Sequence, residues 1–175
     1  MPDELFRRER LQPSLLDRLT DDAPENRRES LDQQTLTMIQ LRQAVLRDLA
    51  WLLNTTNLGA IEDLDGYPRV AESTLNFGIP GFTGLIAATE RVSDLESAIA
   101  DAIRRFEPRI RPDSLSVRAR EGVRGHSAHS LVFEIRGELW AQPVPQQLFL
   151  ETMVDIESRL AVVSDAPGAA RVGRG

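Results

Sequence analysis

The spacing of apolar residues changes from a helical to a strand period near residue 110, which requires a fold that separates helices from strands. Over residues 38–52 and 95–106 they recur every three or four positions, as on one face of a helix. Over 131–136 and 148–156 they alternate with polar residues, as in half-buried strands. Helices first and strands second predict an α+β fold, with N-terminal helices packed on a small antiparallel β-sheet, a meander, formed by the C-terminal half.

Capping patterns predict where the helices begin. Ser30 followed by Gln33 is a capping box that predicts a helix from Ser30 to about Asn54. Its apolar stripe, widened by Leu46, Trp51 and Leu53, is interpreted as core. Ser93 with Glu96 predicts a second box, and the helix that follows it is stopped by Pro108. A short helix is expected from Val70 to Phe77, closed by Gly78 as a left-handed residue.

The domain organisation follows from these patterns and from the length of 175 residues. Residues 30–164 are predicted to form a single α+β domain. Residues 1–29 form a charged N-terminal tail, in which Leu15 and Leu16 belong to a short segment that either caps the core or docks on a partner. Residues 165–175, rich in Gly, Ala and Arg, are expected to be a disordered C-terminal tail.

Composition argues against several classes of function. The chain has no cysteine and a net charge of −6, which fits a reducing, cytoplasmic compartment and disfavours nucleic-acid binding. The start lacks a signal-peptide pattern, and no apolar stretch approaches the ~20 residues of a membrane helix. The two histidines, His126 and His129, lie in a polar, Gly/Ser-containing stretch that is interpreted as a surface loop. We therefore expect no metal, no cofactor, no small-molecule substrate and no direct membrane insertion.

The sequence Glu107-Pro108-Arg109 ends the second predicted helix. The ring of Pro108 fixes one backbone angle, so the two charges leave the helix end in a defined direction. Arg109 offers a rigid fork of donors suited to carboxylates or to backbone carbonyls of a partner. Two interpretations stay open: an internal salt bridge that ends a helix, or a docking residue whose side chain projects from the helix end.

Candidate catalytic carboxylates do not form a suitable pair. Glu134 and Glu138 share a strand face, but four residues of strand separate their backbones by ~13 Å, too far for most glycosidase geometries. The carboxylates of Glu62, Asp63 and Asp65 form a loop cluster, which is usually solvated. We expect no catalytic residue and no enzymatic activity. Two alternatives to a structural role stay open: a glycoside hydrolase, and a sheet-edge peptide-binding adaptor with the strand 148–156 as its candidate edge.

Four segments together resemble a known family. They are Pro13 to Leu19, Leu49 to Thr55, Ser73 to Pro80, and Phe106-Glu107-Pro108-Arg109-Ile110. In this order and spacing, over about residues 11–163, the chain resembles TssE, the baseplate subunit of the bacterial type VI secretion system. That family is similar to a wedge protein of contractile phage tail baseplates that has been labelled lysozyme-like.

The resemblance implies a structural role in a cytoplasmic baseplate at the inner face of the cell envelope. It implies contacts with the other wedge subunits, TssF, TssG and TssK, and with the sheath proteins TssB and TssC. It also implies that Glu107, Pro108 and Arg109 contact the wedge core. By the same resemblance, Asn76, Phe77, Leu15 and Leu16 are candidate protein-binding residues.

Overall fold

A computed structural model describes residues 17, 19, 37–81, 92–120, 130–140, 146–155, 158 and 160–166. Several predictions fall outside these residues and are not tested by the structure. They concern Leu15 and Leu16, the Ser30–Gln33 capping box, the histidine loop, and the turn expected at Pro143 and Pro145.

Helix α1 spans Met38–Asn54 and buries one continuous apolar face. Thr37 is its N-cap: the Thr37 hydroxyl accepts from the Gln40 amide at 3.2 Å, and the Gln40 side chain accepts from the Thr37 amide at 2.9 Å. The predicted start of this helix at Ser30 is therefore wrong, because Thr37 with Gln40 matches the same four-residue pattern and forms the box. Trp51 was predicted to widen the buried stripe, but it is exposed.

The segment after α1 folds into short pieces. These are a 3₁₀ turn at Leu58–Ala60, helix α2 at Pro68–Ala71 and a 3₁₀ turn at Thr74–Asn76. The single helix predicted from Val70 to Phe77 is interrupted because the Ser73 hydroxyl accepts from the Leu75 amide at 3.2 Å and so caps a new turn.

Gly78 does not close a helix as predicted; it allows two backbones to meet. Its φ is +118°, and a Cβ at this position would lie 2.3 Å from the carbonyl oxygen of Thr55. The neighbouring Ile79 donates its amide to that oxygen at 2.9 Å, and the Asn57 amide donates to the carbonyl of Ile79 at 2.9 Å. This small parallel bridge holds the segment against the end of α1.

Helix α3 spans Val92–Phe106 and buries Leu95, Ile99, Ala102 and Ile103, as the sequence predicted. Its predicted capping box is not formed. Ser93 lies within the helix, and the Glu96 carboxylate instead accepts from the Ala119 amide at 2.8 Å. The helix ends before Pro108, as expected.

Four antiparallel strands form a meander in the order β1-β2-β3-β4. They are β1 Ser116–Arg120, β2 Ser130–Leu139, β3 Gln146–Asp155 and β4 Ala161–Asp165. One face of the sheet, including Phe133, Ile135 and Leu150, shares a single core with α1 and α3. The predicted α+β fold is confirmed. Asp165, expected to begin the C-terminal tail, is the last residue of β4 and pairs with Arg42 of α1 at 2.5 Å.

The order of the strands removes one predicted candidate. Strand β3, which contains most of the proposed peptide-binding edge, is paired with β2 on one side and with β4 on the other. In the described sheet the edges are β1 and β4. A short part of the β4 edge is covered by Asn54, whose side chain donates to the Ala161 carbonyl and accepts from the Ala161 amide, both at 2.9 Å.

Candidate functional site

The turn that follows α3 is joined firmly to the end of β2. Ile110 forms an antiparallel bridge with Leu139, and the Trp140 amide donates to the Arg109 carbonyl at 2.7 Å. Gly137 allows this approach, since a Cβ there would lie 2.8 Å from Cγ2 of Ile110. The turn therefore presents Glu107-Pro108-Arg109 in a fixed position.

Glu107 and Arg109 form a bidentate pair inside this turn. Glu107 is only 3% exposed, so its carboxylate needs a partner to offset the loss of water. The Nε atom of Arg109 donates to Oε1 of Glu107 at 2.6 Å, and Nη2 donates to Oε2 at 2.5 Å. The Arg109 amide also donates to Oε1, at 3.2 Å. This fork-to-fork geometry is the strongest form of charge-assisted hydrogen bond.

The pair extends across the molecule to α1. Nη2 of Arg109 donates to Oδ2 of Asp48 at 2.5 Å. Asp48 in turn accepts from Nε of Arg47 at 2.9 Å, and Nη1 of Arg47 lies 2.7 Å from Oδ1 of Asp17. The guanidinium of Arg47 also stands over the Trp51 ring, 5.1 Å from its centroid. A chain of alternating charges thus connects the end of α3 to α1 and to Asp17.

The environment keeps both arginines charged. Burial lowers the pKa of Arg109, but its hydrogen bonds and attraction to Glu107, and then to Asp48, outweigh that effect and raise the pKa above its usual value. The pKa of Arg47 is also raised, mainly by its hydrogen bond to Asp17. The two arginines therefore supply fixed positive charges to an ionic network that joins α3 to α1. Nη1 of Arg109 is buried and has no hydrogen-bond acceptor among the described residues.

The position of the Arg109 side chain matches one of the two interpretations of the sequence, the internal salt bridge. The side chain does not project freely from the helix end; it folds back between two carboxylates of its own chain. Pro108 is the exposed residue of the motif. The internal salt bridge is present, and any docking role of Glu107 must act through the shape of the turn.

Asn76 and Phe77, the two other predicted site residues that the structure describes, lie close to the core. Asn76 is buried: its side chain accepts from the Gly59 amide at 2.8 Å and donates to the Ala71 carbonyl at 2.9 Å. Phe77 is half-buried and meets Phe106 edge to face, with ring centroids 5.3 Å apart. Phe77 therefore lies against the last residue of α3, whereas Asn76 braces the 55–81 segment.

Sequence reasoning missed Asp48 and Trp140. Asp48 lies in α1, and the apolar periodicity of that helix gives no sign of a partner after α3. Trp140 directly follows β2 and is 63% exposed beside Arg109. The sequence could have indicated it, because a tryptophan just past the predicted strand at 131–136 lies outside the apolar alternation, and tryptophan is enriched at protein interfaces.

The candidate catalytic carboxylates are engaged or solvated. Glu134 pairs with Arg136, and its Oε2 atom lies 3.9 Å from Nε of Arg120. Glu138 lies 3.2 Å from Nη1 of Arg111. The loop carboxylates of Glu62, Asp63 and Asp65 are exposed. Within the described ranges, no group of three or more potential ligands could hold a metal ion.

Comparison with protein families matches residues 39–144 to the family described as baseplate wedge protein gp25. The chain belongs to this family. The match runs from α1 to beyond β2, so it includes Asp48, Glu107-Pro108-Arg109 and Trp140. No curated protein and no solved structure matches the chain.

Membership of the gp25 family confirms the resemblance found in the sequence and gives the protein a structural role in a phage-tail-like baseplate, among other baseplate components. In the part of the chain that the structure describes, no helix combines the length and the apolar character needed to cross a bilayer.

Proposed function

We propose that the protein is a wedge subunit of a type VI secretion baseplate that links the wedge core to the base of the contractile sheath. This assignment rests on the TssE-like order of its motifs and on its membership of the gp25 family. It acts in the cytoplasm as a structural protein without enzymatic activity. Its wedge partners are TssF, TssG and TssK, and its sheath partners are TssB and TssC.

One observation carries the contact with the wedge core: the braced turn after α3 presents Pro108 beside the exposed Trp140. Tryptophan is enriched at the energetic centres of protein interfaces, and proline presents a rigid shape. The Arg109 brace holds both residues in place through the Trp140 amide and the Glu107 carboxylate. A partner can therefore bind this surface without paying to order it first.

We assign the sheath contact to the side of β4 that faces away from β3. Strand β4 has a neighbouring strand only on its β3 side in the described sheet. Helix α1 borders this edge at both ends, through the Asn54–Ala161 hydrogen bonds and the Arg42–Asp165 ion pair, so the backbone of Val162 to Ser164 is the part that a further strand would bind. The edge lies away from the α3 turn in sheet order, so the two contacts do not compete.

The decisive experiment mixes the purified protein with a complex of TssF and TssG and measures the dissociation constant. Trp140→Ala is expected to weaken binding at least about tenfold, because an interfacial tryptophan is often a hot spot. The control is Leu160→Ala, which removes another exposed apolar side chain, far from the α3 turn in sequence. Equal binding by both variants and the wild type would remove the α3 turn from the interface. A wild type that does not bind would refute the assigned role.

A further inference from the structure

The segment 57–77 follows α1, and the hydrogen bond between Thr55 and Ile79 joins its two ends. This segment exposes three large apolar side chains. Ile61 is 73% exposed, Tyr67 is 63% exposed and Leu75 is 70% exposed. Single exposed apolar residues are common on protein surfaces. Here three of them lie within fifteen positions, in a segment with no long helix and no strand, and such a concentration is typical of a binding surface.

The segment is held rigid by hydrogen bonds from side chains. The Asn76 amide group connects Gly59 to Ala71, and the Asn57 side chain accepts from the Ala60 amide at 3.0 Å. From outside the segment, Nη1 of Arg105 in α3 donates to the Ala71 carbonyl at 2.9 Å. The exposed side chains are therefore carried on a pre-organised support, which lowers the entropy cost of binding.

The charge of this segment distinguishes it from the rest of the described surface. It carries the exposed carboxylates of Glu62, Asp63, Asp65 and Glu72 and one arginine, Arg69. Among the described residues none of these four carboxylates forms a salt bridge. Most other described carboxylates do, including those of Glu96, Asp101, Glu138 and Glu151. Even with Arg105 of α3 bound to the Ala71 carbonyl, the four carboxylates outnumber the two arginines at this segment, which gives it a net negative charge around its apolar side chains.

We propose that the segment 57–77 is a second docking surface, which binds a cationic surface with apolar pockets on a neighbouring wedge subunit. This inference rests on the proposed function and adds a contact separate from Pro108 and Trp140. In this proposal the apolar side chains of Ile61, Tyr67 and Leu75 enter the pockets of the partner, and the carboxylates of the same segment pair with its Lys or Arg residues.

The same charge argues against other occupants. A second copy of this chain would bring two acidic rims together across a two-fold axis, which is repulsive. Nucleic acids and anionic lipid surfaces carry the same sign of charge as the segment and are repelled. A cationic protein surface is the occupant that both the apolar and the charged features fit.

The test measures the affinity for the purified wedge complex of TssF and TssG as a function of salt. Two triple variants are compared. The apolar variant combines Ile61→Ser, Tyr67→Ser and Leu75→Ser. The Lys variant combines Glu62→Lys, Asp63→Lys and Asp65→Lys. Each is expected to weaken binding at least about tenfold. The wild-type affinity should fall as salt rises, and the Lys variant should lose much of this dependence. Thermal melting verifies that the variants are folded.

Matched controls make the outcomes distinct. One control is a double variant, Val92→Ser and Leu160→Ser, which removes exposed apolar side chains elsewhere. The other is the double variant Asp94→Lys and Asp113→Lys, which reverses the charge of exposed carboxylates elsewhere. Both controls should bind with an affinity within about twofold of the wild type. If Trp140→Ala weakens binding and both segment variants bind normally, this inference is wrong and the proposed function stands. If the wild type does not bind the wedge complex, both are wrong. Weaker binding by both segment variants, with normal binding by both control variants, supports the inference.

Discussion

Arg109 connects the end of α3 to α1 through a 2.5 Å contact between its Nη2 atom and Oδ2 of Asp48. The same nitrogen donates to Glu107, so one guanidinium bridges two carboxylates that lie far apart in the sequence. Glu107 and Arg109 of the Glu-Pro-Arg motif are therefore part of the internal framework, whereas Pro108 within the motif and Trp140 after β2 are exposed and carry the proposed contact.

Replacing Arg109 by Ala should lower stability as well as affect assembly. The change leaves the buried Glu107 carboxylate without its main partner, and breaking such a pair costs about 3 kcal/mol. Denaturant unfolding of Arg109→Ala measures the loss. Adding Glu107→Gln should restore part of it, because no unpaired charge then remains buried. A single variant with wild-type stability and impaired wedge binding would show that Arg109 acts in docking and is not needed as a brace.

Asp48→Ala should cost about 1–2 kcal/mol, because it removes an acceptor of charge-assisted hydrogen bonds from both Arg109 and Arg47. Asp101→Ala is the matched control. It removes a helical aspartate that pairs with Arg104 at 2.8 Å on the exposed face of α3, where a pair contributes less than about 0.5 kcal/mol. Urea unfolding of the two variants gives both values. Equal losses would mean that the Asp48 network is no stronger than a surface pair.

The sequence was sufficient for the fold class because burial in this chain follows local periodicity. The faces of α3, β2 and β3 are those that apolar spacing predicts, since each element packs one side on the core. Helix starts were harder to predict: Ser30 and Thr37 both begin the same four-residue capping pattern, and nothing local chooses between them.

The candidate site was only partly predictable for a different reason. The motif Glu107-Pro108-Arg109 is local and visible in the sequence. Its partner Asp48 lies in another helix, and a single charge has no periodic signal that marks a distant contact. Trp51 was assigned to the core because it borders the apolar stripe of α1, whereas its stacking with Arg47 stabilises an exposed position.

We expect no muramidase activity. The best candidate pair, Glu134 and Glu138, is engaged with Arg136 and Arg111, and both side chains are partly exposed, whereas a general acid is typically held in an apolar pocket. Incubating the protein with purified peptidoglycan and recording turbidity tests this, with a known lysozyme as the positive control. Clearing that a single Glu→Gln change abolishes would contradict the prediction.

The chain ends should be dispensable for folding, with the C-terminal cut placed after Ala166. Residues 1–10 and 167–175 carry no periodic apolar pattern. Asp165 must stay because it pairs with Arg42, and the Ala166 amide donates to the Phe149 carbonyl at 3.1 Å. The melting temperature of the chain 11–166 should equal that of the full chain within about 2 °C. A further cut that removes Asp165 and Ala166 is the comparison, and it should lower that temperature. A large drop for the chain 11–166 itself would mean that one of the removed ends packs on the core.

Gly78→Ala should be the most disruptive glycine substitution in the 55–81 segment. The new Cβ would lie 2.3 Å from the Thr55 carbonyl oxygen, a backbone atom that cannot move without breaking the Thr55–Ile79 hydrogen bond. Gly66→Ala is the matched control, because Gly66 also has a positive φ, +91°, but nothing lies within 4 Å of its Cβ position. The control isolates backbone strain, about 1 kcal/mol, and Gly78→Ala should exceed it by about 2 kcal/mol or more through the clash.

Because the Thr55–Ile79 contact orients the segment 57–77, hydrogen exchange of the Asn57 and Ile79 amides should also accelerate in Gly78→Ala and stay slow in Gly66→Ala. Equal stability losses and equal exchange in the two variants would show that close packing at Gly78 does not hold the segment.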